Sequence, residues 1–317
     1  MNTADDERYM RRCLQLARCG RQNAKPNPMV GAVIVAPGTS DASPQRIIGE
    51  GYHVRCGEGH AEVNAFASVR KEDEYLLPKA TMYVSLEPCS HYGKTPPCAD
   101  LIISKGIKRV VVGCIDEFAE VQGRGIRKLR EAGIDVTVGV LEAECKMLNR
   151  QFFTFHRLNR PYIILKWAQT ANGFIDNKFQ PVAISSPFTQ MLSHKLRAES
   201  DAILVGRVTD MREHPQLTVR QWIGDNPSRL VIDHQHPLNL SSLHAHNIHS
   251  LIVEGGRQTL QSFIDEGLWD ELRVETNHRL TVSDGTRAPQ VPANAVVIAN
   301  EHFGDNSIIT FLSEKAG

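Results

Sequence analysis

The sequence predicts an α/β protein with two domains. Its 317 residues correspond to two domains at roughly 150 residues each. Hydrophobic residues make up 41% of the chain and charged residues 23%, proportions that are typical of globular proteins with a packed core. Short apolar runs with strand character alternate with helical periodicities along both halves. This alternation favours mixed or parallel sheets that helices cover on both faces.

The first half is predicted to begin with a helix over 5–20, where apolar residues recur on one face and Gly20 supplies a C-terminal cap. Strands predicted over 29–36 and 46–53 are separated by Pro, Gly, Ser and Asp residues, so we expect a hairpin. The elements predicted next are helix 60–70, strand 80–86, helix 98–105, strand 109–115, helix 125–132, strand 134–140 and helix 142–158.

The second half repeats this alternation after a linker predicted at 159–161, because the residue before Pro161 is disfavoured in a helix. We expect the seam within 145–160 and assign residues 1–147 to the first domain and 148–317 to the second. The elements predicted beyond the linker are strand 162–170, helix 187–199, strands 202–206, 229–233 and 250–254, helix 257–267 and three late strands.

Charge and patterning argue against several classes of function. Lys and Arg number 36, as do Asp and Glu, so no basic surface for nucleic acid is indicated. Residues 1–12 place acids and arginines where a signal peptide carries an apolar run, and no stretch approaches the roughly 18 apolar residues of a membrane span. Seven irregularly spaced cysteines do not form a disulfide pattern. We expect a cytoplasmic protein with neither a membrane nor a nucleic-acid partner.

One group of residues indicates a metal site. His60 and Glu62 open a predicted helix, and two Pro-Cys pairs that end in Cys89 and Cys98 follow the strand at 80–86. One imidazole and two thiolates are a recurrent ligand set for catalytic zinc. Cys98 starts a predicted helix, whose dipole favours the thiolate form. The sequence therefore predicts zinc on His60, Cys89 and Cys98, with a closed structural zinc site as the alternative.

The same residues predict a hydrolytic deaminase. Zinc lowers the pKa of bound water from about 15.7 toward 7, and the resulting hydroxide attacks an electron-poor ring carbon that bears an amino group. Glu62 is placed to take the water proton and to return it to the leaving nitrogen; a closed structural site needs no such glutamate. Eight residues separate Cys89 from Cys98, whereas the general deaminase signature has two between its cysteines.

Motifs of the first half resemble one family, the bifunctional deaminase/reductases of riboflavin biosynthesis. The motifs are PNPMVGAVIV (26–35), GEGYH (49–53), HAEVNAF (60–66), YVSLEPCSHYGKTPPC (83–98) and GRGI (123–126). The resemblance implies a cytidine-deaminase-like three-layer domain that removes the 2-amino group of a diamino-pyrimidinone carrying a phosphoribosylamino group. It puts zinc on His60, Cys89 and Cys98 and acid–base catalysis on Glu62, and it implies substrate contacts at Asn27, His53, Lys94 and Asp116.

Motifs of the second half resemble the reductase domain of the same family. They are PYIILKWAQTANGFID (161–176), ISSP (184–187), HKLRAESDAILVG (194–206), HPQLTVR (214–220), PSRLVID (227–233) and LIVEGG (251–256). The resemblance implies a dihydrofolate-reductase-like fold and NADPH, which reduces a ring-opened ribose to ribitol. The implied NADP contacts are Ala168, Thr209, Gly255, Gly256, Arg257, Gln258 and Thr259. The implied substrate contacts are Lys166, Thr170, Arg197, Leu217, Arg220 and Glu254.

The chain departs from the family pattern at three places. Residues 116–119 read Asp-Glu-Phe-Ala where the family has Asp-Pro-Asn-Pro, Asn172 replaces an Asp, and Glu213-His214 replaces an Asp pair. The alternatives are therefore a deaminase with a weak or inactive reductase domain, a nucleic-acid-editing deaminase, which the neutral charge disfavours, and a structural zinc module joined to a binding scaffold. If the protein is a bifunctional deaminase/reductase, we expect a small phosphorylated pyrimidine as substrate and a homo-oligomeric assembly.

Overall fold

Two units make up the chain in its computed structural model, Met1–Arg157 and Leu158–Gly317. The structure describes residues 3–38, 45–91, 96–116, 123–233 and 235–314. The division lies after Arg157 rather than after residue 147 because the helix that follows residue 149 still packs on the first unit, where Phe153 is buried in the core. None of the helices in the described part of the chain is long and apolar enough to cross a membrane.

The first unit is built on a mixed sheet. Its strands are β1 Gly31–Ala36, β2 Arg46–Tyr52, β3 Thr81–Leu86, β4 Arg109–Cys114 and β5 Asp135–Val138. Its helices are α1 Thr3–Arg18, α2 Ala61–Ala67, α3 Cys98–Ser104, α4 Arg124–Glu131, α5 Glu142–Leu148 and α6 Arg150–Leu158, with a 3-10 helix at Lys71–Lys79. The sheet order is β2-β1-β3-β4-β5. β1 is antiparallel to β2 and β3, as the predicted hairpin requires, and β3, β4 and β5 are parallel.

Helices cover both faces of this sheet, because alternate strand residues point to opposite sides. Ala32 and Ile34 of β1 pack with apolar residues of α2, α3 and α4. Val33 and Val35 pack on the other face with residues of α1, α5 and α6. The first unit is therefore a three-layer α/β/α arrangement, as the sequence predicts.

The prediction of a single helix over 142–158 is wrong, because the structure has two helices there, α5 and α6. Asn149 ends α5, and its buried side chain bonds both backbone groups of Met29: Oδ1 accepts from the N–H at 2.8 Å and Nδ2 donates to the carbonyl at 2.9 Å. The two hydrogen bonds hold the break between α5 and α6 against Met29, two residues before β1.

A buried ion pair joins α1 to the sheet. Arg109 donates to both carboxylate oxygens of Asp6, at 3.0 and 2.8 Å, and the Tyr83 hydroxyl donates to the same carboxylate at 2.9 Å. Burial raises the pKa of Asp6, but the hydrogen bonds from Arg109 and Tyr83 outweigh it and hold the pKa below its ordinary value. Asp6 therefore stays ionised and holds α1 against β3 and β4.

The second unit contains a seven-stranded sheet. Its strands are β6 Tyr162–Thr170, β7 Ala202–Gly206, β8 Ser228–Ile232, β9 Ser250–Val253, β10 Glu271–Asn277, β11 Val296–Phe303 and β12 Asn306–Leu312. Its helices are α7 Pro187–Ala198, α8 Arg207–Glu213, α9 Leu240–Ala245 and α10 Arg257–Asp265. The order is β11-β12-β10-β6-β9-β7-β8. The five strands from β10 to β8 are parallel, and β12 and β11 are antiparallel additions at one edge.

Helices α8 and α9 were not predicted, and the burial pattern gives the reason. Neither helix has a buried residue, and they span only seven and six residues, which is too short for a helical periodicity to be recognised in a sequence. The central strands do carry that signal, because β6 is buried on both faces: Ile163 and Leu165 lie in one core and Tyr162 and Ile164 in the other. The parallel strands end together at one edge, where ligands bind in open α/β sheets.

Candidate active sites

Three predicted zinc ligands come together in the first unit. His60 is the N-cap of α2, Cys98 is the first residue of α3, and Cys89 follows β3 after two residues. The Nδ1 of His60 lies 3.6 Å from the Sγ of Cys89 and 3.4 Å from the Sγ of Cys98. All three ligand atoms lie within 4.8 Å of one another. Two helix starts and one strand end thus place one nitrogen and two sulfurs around a single point.

The donor set and its spacing fit zinc. Bond lengths of about 2.3 Å to sulfur and 2.0–2.1 Å to nitrogen in a tetrahedron place neighbouring ligand atoms about 3.5 Å apart. The hydrogen bond between the two sulfurs lowers the pKa of Cys89 and raises that of Cys98. The backbone N–H of Cys98 also donates to the Sγ of Cys89 at 3.3 Å, which favours the thiolate there. His60, Cys89 and Cys98 are the residues that would hold the ion.

Glu62 lies in the first turn of α2 and is buried, with 3% of its surface exposed. Burial and the nearby charge of Cys89 raise its pKa to about 7. Its carboxyl group is hydrogen-bonded to Cys98, although it is not part of the His/Cys/Cys group. His60 as the N-cap and Glu62 in the first turn thus both belong to the start of α2, and the acid–base role of Glu62 stays a prediction.

Asn27 and His53 form a hydrogen-bonded pair beside the ligand set. The side-chain amide of Asn27 donates to the Nε2 of His53 at 3.1 Å, so the Nδ1 of His53 carries the proton that bonds the carbonyl of Gly59 at 3.2 Å. Burial lowers the pKa of His53 and keeps the ring neutral. The ring meets that of His60 edge-on, with centroids 5.3 Å apart. Both residues therefore lie beside the ligand set, and their contact with a substrate stays a prediction.

Two other predicted substrate residues differ in what the structure says of them. Asp116 is buried just beyond the end of β4, and its backbone N–H donates to Glu87 at 3.4 Å. Lys94 lies outside the described residues, as do positions 117–119, where the family pattern is broken. Their contribution stays a prediction.

A large cleft opens at the edge of the second unit where its parallel strands end, with a volume of about 1770 Å³. Most of the predicted reductase residues line it: Lys166, Ala168, Arg197, Thr209, Leu217, Arg220, Glu254, Gly255, Gly256, Arg257, Gln258 and Thr259. Thr170 does not. It is fully buried at the end of β6, where its hydroxyl donates to Asn172 and accepts from the N–H of Phe174. Thr170 therefore stabilises the turn that follows β6 and does not contact the cleft as described.

Charged groups converge on one wall of the cleft. Arg197 and Glu254 form a 2.6 Å ion pair, and the Nζ of Lys166 lies 3.9 Å from the other carboxylate oxygen. Burial raises the pKa of Glu254, but the charges of Lys166 and Arg197 outweigh it, so Glu254 is ionised at neutral pH. Among the described residues, neither the Nε of Arg197 nor the Oε1 of Glu254 has a hydrogen-bond partner, although both atoms are buried. Buried polar atoms without partners are unfavourable, which indicates that a polar ligand completes this wall.

Two helix starts also line the cleft. Gly206 and Gly256 are the N-caps of α8 and α10, and the hydroxyl of Thr209 accepts from the N–H of Gly256 at 3.0 Å. A Cβ on Gly206 would meet the hydroxyl of Thr259, and one on Gly255 would lie 3.0 Å from the Cβ of that threonine. The glycines allow this close approach, and the backbone N–H groups in the first turn of a helix such as α10 suit phosphate.

His194 was missed by the sequence analysis. It lines the same cleft, and its Nδ1 accepts from the backbone N–H of Arg220 at 3.2 Å. Burial and the charges of Arg197 and Arg220 lower its pKa. A lone histidine inside an amphipathic helix gives no signal of such a contact, because its partner lies 26 residues away.

Asn172, which replaces the expected Asp, is not a cleft residue in the described chain. Its Nδ2 donates to the carbonyl of Val282 at 2.7 Å, and its Oδ1 accepts from the Val282 N–H and from the Thr170 hydroxyl. Its own carbonyl accepts from Arg287 at 2.9 Å. The residue joins the end of β6 to the segment after β10.

We expect Asn172→Asp to reduce stability and to leave the cleft intact. A carboxylate cannot donate to the Val282 carbonyl, and the loss of one hydrogen bond costs about 1 kcal/mol. Thermal unfolding should shift downward by a few degrees, whereas ligand binding in the cleft should not change. Asn300→Asp, on exposed β11, is the matched control and should unfold like the wild type. Weaker ligand binding in the cleft, together with an unchanged unfolding temperature, would contradict this assignment.

Comparison with known proteins separates the same two halves. Residues 3–114 match the zinc-binding region of cytidine and deoxycytidylate deaminases. Residues 161–241 and 237–277 match the RibD C-terminal domain. The riboflavin biosynthesis protein RibD of Aquifex aeolicus is 37% identical in an alignment of 320 positions that covers 85% of this chain and 86% of that protein.

Other relatives give the same picture. RibD of Escherichia coli is 43% identical over 218 residues, which cover 68% of this chain and 56% of that protein. A crystal structure of a diaminohydroxyphosphoribosylaminopyrimidine deaminase/5-amino-6-(5-phosphoribosylamino)uracil reductase from Thermotoga maritima superposes with a TM-score of 0.86 at 32% identity, over 98% of this chain and 99% of the other. RibD of Acinetobacter baumannii superposes with a TM-score of 0.85 at 26% identity, with the same coverage.

Proposed function

Because the chain belongs to the family of the bifunctional deaminase/reductases of riboflavin biosynthesis, we propose that it catalyses two consecutive reactions. The first unit hydrolyses the 2-amino group of 2,5-diamino-6-(5-phosphoribosylamino)pyrimidin-4-one and releases ammonia. The second unit reduces the ribosyl group of the product to ribityl with NADPH. We place the substrate among small phosphorylated pyrimidines, the enzyme in the cytoplasm, and its subunits in a homo-oligomer.

One observation carries the deaminase proposal: His60, Cys89 and Cys98 present three ligand atoms within 4.8 Å of one another, and a buried glutamate lies beside them. When bound, zinc supplies a Lewis acid that lowers the pKa of a water molecule toward about 7. Glu62 accepts the proton of the attacking water and delivers it to the leaving nitrogen, which departs as ammonia. Glu62 is not one of the three metal ligands. Its carboxyl group is therefore available for both proton transfers, from the water and to the leaving nitrogen.

The pair of Asn27 and His53 orients this site. Asn27 fixes the neutral tautomer of His53, and His53 packs edge-on against the imidazole of His60. A neutral ring there excludes water from one side of the ligand set and adds no positive charge beside it. Lys94 is proposed to pair with the substrate phosphate, and Asp116 to contact the pyrimidine.

In the cleft of the second unit, NADPH supplies the hydride. We propose that the glycines at 255–256 and the helix starts beside them hold its phosphates. Arg197 and Arg220 bind the phosphate of the substrate through charge-assisted hydrogen bonds. Glu254 and Lys166 hold the polar groups of the opened ribose. The unpartnered atoms of Arg197 and Glu254 support this assignment, because a ligand here would satisfy them.

The departures from the family pattern suggested an inactive reductase unit, but the positions of these residues in the structure do not favour that alternative. Asn172 lies in a structural contact, and Glu213, which lines the cleft, keeps the negative charge of the aspartate it replaces. His214 ends α8 in the left-handed conformation and does not line the cleft as described. We therefore propose that both units are active.

Removal of zinc tests the first reaction. The purified enzyme should contain about one zinc per chain, lose ammonia release in a strong chelator and regain it when Zn²⁺ is added. NADPH oxidation with supplied deaminated substrate should continue in the chelator and serves as the control. Ammonia release from fully zinc-free protein would contradict the proposal.

A further inference from the structure

Glu87 lies immediately after β3 and two residues before Cys89. Only 4% of its surface is exposed, and the reaction proposed above assigns it no role. Its backbone N–H donates to the carbonyl of Cys114 at 3.0 Å, which extends the pairing of β3 with β4. The side chain therefore starts from a fixed point beneath the zinc ligands.

The carboxylate of Glu87 accepts four backbone hydrogen bonds. Oε1 accepts from Gly125 at 2.9 Å and from Ile126 at 3.3 Å. Oε2 accepts from Gly123 at 2.9 Å and from Asp116 at 3.4 Å. Charge-assisted hydrogen bonds of this kind are stronger than neutral ones.

These contacts replace a helix cap that the local sequence does not supply. Gly123 is the N-cap of α4, has a φ of 72° and offers no side chain. An N-cap side chain ordinarily accepts from the second or third helical N–H, which here belong to Gly125 and Ile126. Glu87 accepts from both, and its negative charge lies at the positive end of the helix, where the first turn of α4 has no acidic residue of its own.

The hydrogen bonds to Glu87 hold the first turn of α4 against the segment that carries Cys89. A Cβ on Gly125 would collide with the carbonyl oxygen of Pro88, so the first turn of α4 lies directly on the peptide before the ligand. From the other side, Ala99 of α3 donates to the carbonyl of Cys89 at 3.1 Å. The Cys89 backbone is thus held between the first turns of two helices.

We propose that Glu87 is a positioning residue of the deaminase site, which fixes Cys89 for metal binding by capping α4 and clamping its first turn onto Pro88. Oε2 also joins Asp116 to Gly123, so the same carboxylate holds a predicted substrate residue in register with the ligand. The LEP and GRGI sequences, at 86–88 and 123–126, are two sides of this one contact. The inference rests on the proposed zinc site and adds a residue that holds it.

Glu87→Gln is the sharpest test. The glutamine amide has the same shape, but whichever way it turns, its NH₂ group faces two backbone N–H donors and two of the four hydrogen bonds are lost. Loss of an outer partner of a metal ligand typically reduces metal affinity by about 10–100-fold. We expect zinc release to a chromophoric chelator to be at least about tenfold faster than in the wild type, and the thiolate absorption bands of the Co²⁺-loaded protein to shift.

Asp6→Asn is the matched control, because Asp6 is equally buried in the same unit and accepts hydrogen bonds from Arg109 and Tyr83 far from the ligand set. It should reduce the unfolding temperature without changing zinc release or the Co²⁺ spectrum. Glu87→Asp, which keeps the charge on a shorter side chain, should lie between Glu87→Gln and the wild type. Equal zinc release in Glu87→Gln and the wild type, or equal acceleration in Asp6→Asn, would overturn the inference.

If Glu87→Gln does not fold, the wild type gives the answer by hydrogen exchange. Zinc removal should reduce the protection of the Gly125 and Ile126 amides by at least about tenfold, because coupling between the two sites is reciprocal. Unchanged protection of these amides would overturn the inference. A wild type that binds no zinc would instead contradict the proposed function, whereas a zinc-loaded wild type with an unaffected Glu87→Gln variant contradicts only the role of Glu87.

Discussion

Replacement of Glu62 by glutamine should slow ammonia release by about 10²–10⁴-fold, the usual contribution of a positioned acid–base group. The amide keeps the shape of the buried side chain but cannot accept the water proton or deliver one to the leaving nitrogen. Zinc content should stay at the wild-type value, because the ligand set is His60, Cys89 and Cys98. The measurement is ammonia release at saturating substrate, together with the metal content of the same sample.

Glu58→Gln is the control for this substitution. Glu58 is an exposed residue four positions earlier, and its carboxylate lies 3.9 Å from Arg55. This variant should release ammonia at the wild-type rate. A Glu62→Gln enzyme with full activity would remove Glu62 from the mechanism, and one that has lost its zinc would place it in the ligand set.

Replacement of Arg197 by glutamine should raise the KM of the reductase for its phosphorylated substrate by roughly 10–100-fold, since a hydrogen bond to a charged group contributes about 1.5–3 kcal/mol. The change also removes the 2.6 Å partner of Glu254, so the pKa of Glu254 should rise. Lys166, at 3.9 Å, remains as its nearest positive charge. The measurement is NADPH oxidation against the concentration of deaminated substrate.

Arg279→Gln is the control here, because Arg279 is an exposed residue of the same unit that pairs with Asp305 and does not line the described cleft. It should leave the KM unchanged. Ammonia release should be normal in both variants, since Arg197 belongs to the second unit. If the KM is unchanged in Arg197→Gln, the phosphate is held elsewhere in the cleft.

The zinc site could be predicted from the sequence because its signals are local. His60 and Glu62 are two residues apart, and each cysteine follows a proline at a predicted strand end or helix start. The fold of the first unit was predictable for a similar reason: β1 and β3 are buried at every position, and α1 buries one apolar face. Such patterns depend on neighbours in sequence rather than on the final packing.

What the sequence did not predict depends on contacts between distant residues. The break at Asn149 results from a side chain that pairs with Met29, 120 positions earlier. The cap of α4 comes from Glu87, 36 residues before Gly123. The resemblance put Thr170 among the substrate contacts, but its hydroxyl is bonded to Asn172 and to the N–H of Phe174 at the end of β6. Periodicity and spacing carry no information about these partners.

The central claim is that each unit of the chain performs its own reaction, and one coupled assay tests it most directly. The diamino-pyrimidinone phosphate and NADPH are mixed with the zinc-loaded enzyme, and ammonia and NADPH are followed together. Ammonia release should come first, and one NADPH should then be oxidised for each ammonia released. Cys98→Ser should stop both signals, yet oxidise NADPH normally when deaminated substrate is supplied. Ammonia release with no NADPH oxidation, even as deaminated product accumulates, would contradict the claim.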